Sequence, residues 1–192
     1  MLKLRVGGQR DLHKYYNIIA MDFDQKEMLP SLLMHKAMLK GDLEMLIMYD
    51  EQSEMDLAYA ITCRSGLYGY VLLKYMGVLP WYRERGLGVQ MMRLINKHYI
   101  NKQGIMAELT VFDDEEDDSM LRKLRKFFAR FGYIKLDSDY HIGGSEVELM
   151  VKPIKGDGNI QNVEHRIIND FYSRLLTPSQ MGKMIDIKPV KK

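Results

Sequence analysis

The chain has 192 residues, of which 46% are hydrophobic and 28% charged, with a formal net charge of +2. That length holds a domain with a full core, and the composition excludes disordered and collagen-like classes. The near-neutral charge gives no general pull toward nucleic acid, and the apolar runs are too short to span a bilayer. The single cysteine, Cys63, points to a reducing cytoplasm.

In chain order, "LKLRV" alternates Leu2, Leu4 and Val6 with basic residues and predicts a first strand, broken by Gly7-Gly8. "DLHKYYNIIAM" places Leu12, Tyr15, Tyr16 and Ile19 at helical spacing, and a second helix runs between Pro30 and Gly41. Three strands follow, "EMLIMYD", "DLAYAITCR" and "GYVLLKYMGV", joined by turns short enough for an antiparallel meander. "GVQMMRLINKHYI" then predicts a helix with Val89, Met92, Ile95 and Tyr99 on one face, and "IMAELTVF" a strand. The acidic run "DDEEDD" precedes a helix whose N-cap is expected at Ser119 and whose end is Gly132. Closing strands are expected over residues 133–136 and 146–152, around "HIGGS". Pro153 marks a boundary, with an amphipathic helix "NVEHRIINDFYSRLL" and a short tail beyond it. The histidines are scattered without ligand spacing, so no metal site is expected.

Between the fourth strand and the following helix stands "VLPWYRERGLG". Glycines at a helix start bare the amide N–H groups, and the positive helix end favours an anion there. Met91 occupies the place of the third glycine of a dinucleotide fingerprint, and the lysine of a nucleotide phosphate loop is absent. On the tripeptide alone, a tight strand-to-helix turn is the competing reading.

The segment resembles the acetyl-CoA-binding motif of the GNAT N-acetyltransferase superfamily. That motif is Arg or Gln, two residues, Gly, one residue, then Gly or Ala, after a valine-and-proline strand end. Arg83, Gly86 and Gly88 fill its positions, and Val78 and Pro80 its lead-in. The order of elements to about residue 152 is similar to the family's, as is the "FFARFGY" helix ending. The resemblance implies an acyl-CoA N-acyltransferase fold: α+β, with a mixed, mostly antiparallel central sheet of about seven strands flanked by helices. A GNAT domain would then cover residues 1–153, and residues 154–192 would form a helical extension outside the resemblance.

The resemblance also implies a cofactor, acetyl-CoA. Its implied contacts are Val78, Leu79 and Pro80 at the strand end, Arg83, Glu84, Arg85, Gly86, Leu87, Gly88 and Val89 around the loop, and Phe128. The loop amides would cradle the pyrophosphate, with Arg83 and Arg85 adding charge-assisted contacts. The splayed end of the fourth strand would bind the pantetheine arm, and a backbone N–H there would polarise the thioester carbonyl. The fourth strand, however, lacks the family's glutamate base, and Phe128 stands where many members have a tyrosine acid. Glu108 and Asp113 are the candidate bases and Tyr140 the candidate hydroxyl. An ordinary strand carboxylate and a hairpin aromatic are the competing readings for Glu108 and Tyr140.

The implied activity is acetyl transfer to a primary amine, a cationic small molecule or peptide that the acidic run would attract. The alternative is a sensor or interaction module that binds acetyl-CoA without turnover. The apolar stripe of the extension (Val163, Ile167, Ile168, Phe171, Tyr172 and Leu175) needs cover. Its own core would supply that cover, or a neighbouring subunit of a homodimer.

Overall fold

The computed structural model describes residues 1–111, 115–137, 139–155, 160 and 163–188. Among them are nine strands and six helices, an α+β fold with a mostly antiparallel sheet flanked by helices. Two compact units form, one from residues 1–64 with 73–100 and the other from residues 65–72 with 101–192.

In the first unit, β1 (Leu2–Gly7), β2 (Leu43–Asp50) and β3 (Asp56–Arg64) pair antiparallel in that order. The near-continuous apolar run of β2 is buried on both faces, as is most of β3, the pattern of strands covered on each side. Helix α1 (Gln9–Asp22) buries Leu12, Tyr15 and Ile19, and α2 (Ser31–Lys40) buries Met34 and Ala37. Such apolar side chains contribute about 1.5–3 kcal/mol each when fully buried. Gly41, at φ 76°, closes α2 in the left-handed conformation that favours glycine, its N–H bonded to the Ala37 and Met38 carbonyls.

Helix α3 (Leu87–His98) buries Met91, Met92 and Ile95, and its far end is tied to a buried carboxylate. Glu44 accepts a hydrogen bond from the Tyr99 hydroxyl at 2.6 Å, lies 3.0 Å from His98 Nε2, and pairs with Arg64. Burial pushes the Glu44 carboxyl up, but Tyr99, His98 and Arg64 outweigh it, and the net displacement is below the ordinary carboxylate value.

The chain passes between units within β4 (Tyr70–Val78), whose second half belongs to the first unit. In the second unit, β5 (Gly104–Thr110) pairs antiparallel with β8 (Ser145–Pro153), and β6 (Ile134–Lys135) also lies on β8. Strand β7 (Asp139–Ile142) joins β8 through Gly143-Gly144, both at positive φ, a two-residue hairpin turn only glycine-like residues form readily. Helix α4 (Glu115–Ala129) buries Leu121 and Phe128. Helix α5 (Glu164–Leu175) buries Ile167, Ile168, Phe171, Tyr172 and Leu175. Asp170 of α5 accepts from the Ser65 hydroxyl at 2.6 Å and from the amides of Gly66 and Leu67, capping the turn after β3.

Three local expectations change. Helix α4 spans Glu115–Ala129, so Ser119 lies inside the helix rather than at its expected N-cap. The strand that pairs with β8 through "HIGGS" is β7, six residues beyond the expected 133–136, because the glycine turn sets the register; of the expected strand, Ile134 and Lys135 form β6, which also pairs with β8. The expected tail contains α6 (Pro178–Met184) and β9 (Ile185–Lys188), the latter paired antiparallel with β7. Thr177 and Gln180 form a capping box at the start of α6, with Pro178 in its first turn. Strands β7 and β9 bring the total above the expected seven.

Candidate active site

The loop after β4 is built by its backbone. Leu79 is buried and its amide donates to the Leu57 carbonyl at 2.9 Å, fixing the strand end. Pro80–Tyr82 makes one turn of 3-10 helix, after which Arg83 is extended, Glu84 takes φ 64° and Gly86 φ 70° before α3 begins. A left-handed backbone is costly for a glutamate. The first hydrogen bond of the new helix runs from the Val89 amide to the Gly86 carbonyl at 3.2 Å. Among the described residues, no backbone carbonyl accepts from the amides of residues 86–88. These donors lie at the positive end of a 12-residue helix, the arrangement that attracts an anion.

The glycines of the loop differ in cause. Gly86 needs its left-handed backbone. Gly88 has no such need, and a Cβ there would meet nothing within 4 Å. The protein's own packing therefore does not explain why residue 88 lacks a side chain, whereas close approach of a phosphate group would. On this ground the residues present fit a coenzyme A pyrophosphate. Gly77 is the opposite case: a Cβ would lie 2.5 Å from the Tyr59 hydroxyl.

That contact belongs to a small cluster around Asp22, the last residue of α1. Asp22 accepts from the Tyr59 hydroxyl at 2.7 Å and from Arg83 Nη2 at 2.5 Å, while Arg83 Nε donates to the Val78 carbonyl at 3.1 Å. Burial, then the bond to Asp22, raises the Tyr59 phenol above its ordinary value. The Arg83 guanidinium thus ties the loop to α1 and to the end of β4. Arg85 is exposed, its guanidinium 5.8 Å from the Tyr82 ring, and Trp81 is 69% exposed beside it.

In the second unit, Glu108 of β5 and Tyr140 of β7 come together, and a third residue joins them. The Tyr140 hydroxyl donates to Glu108 Oε1 at 3.0 Å, and the Tyr172 hydroxyl reaches Oε1 at 3.0 Å and Oε2 at 2.9 Å. Both tyrosines are wholly buried, while Glu108 is partly exposed. The sequence reading placed Tyr172 only on an apolar helix stripe; a hydroxyl-bearing ring on a buried stripe is the signal that it needed a polar partner. Phe128 is 6% exposed and packs edge-to-face on Tyr133, centroids 5.0 Å apart. Asp113 lies outside the described residues.

No protein-family model matches the chain, and no curated protein matches its sequence. Solved structures do match. A protein from Bacteroides thetaiotaomicron described as a GNAT-family acetyltransferase superposes with TM-score 0.69 at 14% identity, over 87% of this chain and 96% of that one. A dodecameric spermidine N-acetyltransferase from Vibrio cholerae matches with TM-score 0.60 at 14% identity, over 82% and 96%. A structure described as a phosphinothricin N-acetyltransferase matches with TM-score 0.58 at 13% identity, over 81% and 100%. The chain has the fold of the GNAT acetyltransferases. Among the described residues, no helix is long and apolar enough to cross a membrane.

Proposed function

We propose that this protein is an N-acetyltransferase that moves the acetyl group of acetyl-CoA to a primary amine on a cationic small molecule or peptide. The observation that carries the reading is the end of the loop at residues 86–88, whose amides have no backbone acceptor and include that of a glycine, Gly88, that internal packing does not require. Acetyl-CoA supplies an activated acyl group, whose thiolate leaves as the amine nitrogen bonds to the carbonyl carbon. The chain's part is to hold the phosphates on the amides of residues 86–88, with Arg85 adding charge. Arg83, paired with Asp22 and Val78, keeps the loop in shape.

Glu108 is the group proposed to take the proton that the amine must lose. Phe128, without an exchangeable proton, cannot protonate the leaving thiolate, so that proton comes from a neighbouring phenol or water. Tyr140, the candidate hydroxyl from the sequence, lies 3.0 Å from Glu108. The structural neighbours described as spermidine N-acetyltransferases support an amine acceptor for this reading.

The test is a thiol-release assay with acetyl-CoA over a panel of polyamines, aminoglycosides and lysine peptides, paired with calorimetry of acetyl-CoA binding. Tight binding with release on at least one amine is the expected result. Absence of acetyl-CoA binding to the folded protein would overturn the reading.

A further inference from the structure

We infer that Tyr172, on helix α5, is a positioning residue for Glu108, so that the segment outside the family resemblance forms part of the reaction machinery. The inference rests on the N-acetyltransferase reading above. Glu108 sits on β5, whose neighbouring residues on both faces, Met106 on its own and Ile105, Ala107 and Leu109 on the other, are buried. A lone carboxylate at such a position would swing among rotamers and would lose much of its hydration. Here its two oxygens receive hydroxyl donors from two directions, Tyr140 at 3.0 Å and Tyr172 at 3.0 and 2.9 Å. The Tyr172 oxygen lies nearly equidistant from both carboxylate oxygens, so its single proton is shared between them, and with Tyr140 it restricts the direction of the carboxylate.

The tyrosines themselves cannot move to suit. Both are fully buried, Tyr140 held on β7 between β8 and β9, Tyr172 on the apolar stripe of α5 between Phe171 and Leu175. Glu108 alone of the three retains exposure. The assembly is therefore a partly exposed carboxylate held by two buried phenols. Hydrogen bonds from neutral donors to an ionised acceptor are among the stronger ones, and here they restrict the direction in which the carboxylate can point. A base used in every turnover benefits from such fixation, because no reorientation precedes proton transfer.

Helix α5 is itself held in place. Asp170, two residues before Tyr172, is 8% exposed and takes hydrogen bonds from Ser65, Gly66 and Leu67. The position of the Tyr172 hydroxyl is thus set by contacts on both sides of the helix.

The experiment compares full-length wild type with Tyr172→Phe, which keeps the ring and removes only the hydroxyl. Three quantities are read: kcat and KM for acetyl-CoA, the melting temperature, and the carboxylate stretching band of Glu108, isolated by infrared subtraction of a Glu108→Gln protein. The expected result is a kcat lower by roughly ten- to a hundredfold, the scale of one hydrogen bond to a charged group. KM for acetyl-CoA should stay within about twofold, and the band should shift in frequency. Full kcat in the variant overturns the inference, as does a lost kcat with an unmoved band. If Tyr172→Phe proves unstable, Tyr140→Phe serves as the second variant with the same readouts. A wild type that binds acetyl-CoA but acetylates no amine overturns the transferase reading itself, and is told apart because it fails before any substitution is made.

Discussion

The loop at residues 83–88 and the clamp around Glu108 reach their chemistry by opposite routes. The loop is continuous in sequence and offers main-chain N–H groups, so its geometry comes from φ angles at Glu84 and Gly86 and from one strut, Arg83 to Asp22. The clamp gathers β5, β7 and α5 and offers side-chain oxygens, so its geometry comes from the packing of distant segments. The difference teaches where each is vulnerable. The loop depends on backbone conformation at Glu84 and Gly86, and the clamp on three side chains brought together from distant segments.

The sharpest way to break that contrast is Glu108→Gln. The amide oxygen still accepts from the phenols, so the fold should persist, while kcat should fall by about 10²–10⁴, the usual contribution of a general base. Steady-state kinetics beside a thermal melt check it; an unchanged kcat would remove Glu108 from the reaction. Gly86→Asp should come next, lowering acetyl-CoA affinity by roughly a hundredfold, through a side chain forced to positive φ and a charge opposed to phosphate. Calorimetry on the folded variant decides it, and unchanged affinity would place the anion elsewhere.

A smaller effect probes the other end of α3, whose start carries the loop. The Glu44 carboxyl is lower in the fold than in the unfolded chain, so its stabilisation is present above about pH 4 and is lost as pH falls through the folded value. Glu44→Gln should therefore melt roughly 3–8 °C below wild type at pH 7, from about 1–3 kcal/mol, with the two curves converging in acid. Melts at several pH values would show a constant gap if another group were responsible. The mildest test contrasts two glycines. Gly77→Ala must displace Tyr59 and should cost about 1–3 kcal/mol of stability. Gly88→Ala meets nothing within 4 Å, and its melting temperature should not drop; any effect should fall on acetyl-CoA affinity alone.

The loop was legible because a bare-backbone turn writes itself in consecutive letters: a strand end, Pro80, two arginines and glycines at a fixed offset. Most helices and long strands were legible for the same local reason, their apolar spacing. Tyr172 was not, since a tyrosine at Ile168 plus four is indistinguishable in sequence from any core aromatic, and its partner lies 64 residues away. Strands β7 and β9 were missed because each is four residues long and owes its existence to pairing rather than to pattern. The capping box of Thr177 and Gln180 was a readable sign of α6 that the polar composition of the segment obscured. The role of Arg83 as a strut depended on Asp22, which nothing in the motif names.

The Asp170 cap and the β7–β9 pairing also set a timetable for biosynthesis. The first unit contains no residue after Ile100, so all its parts exist when little more than half of the chain has been translated. The second unit waits: the turn at residues 65–67 finds its carboxylate 105 residues later, and β7 gains its outer neighbour only when residues 185–188 are made. During that interval the nascent chain presents an uncapped turn and an open strand edge beside the ribosome. Translation pauses or premature stops within residues 154–184 would leave the first unit complete and the second unable to close. Quality-control proteases would meet that species as a half-folded protein with an exposed β7 edge.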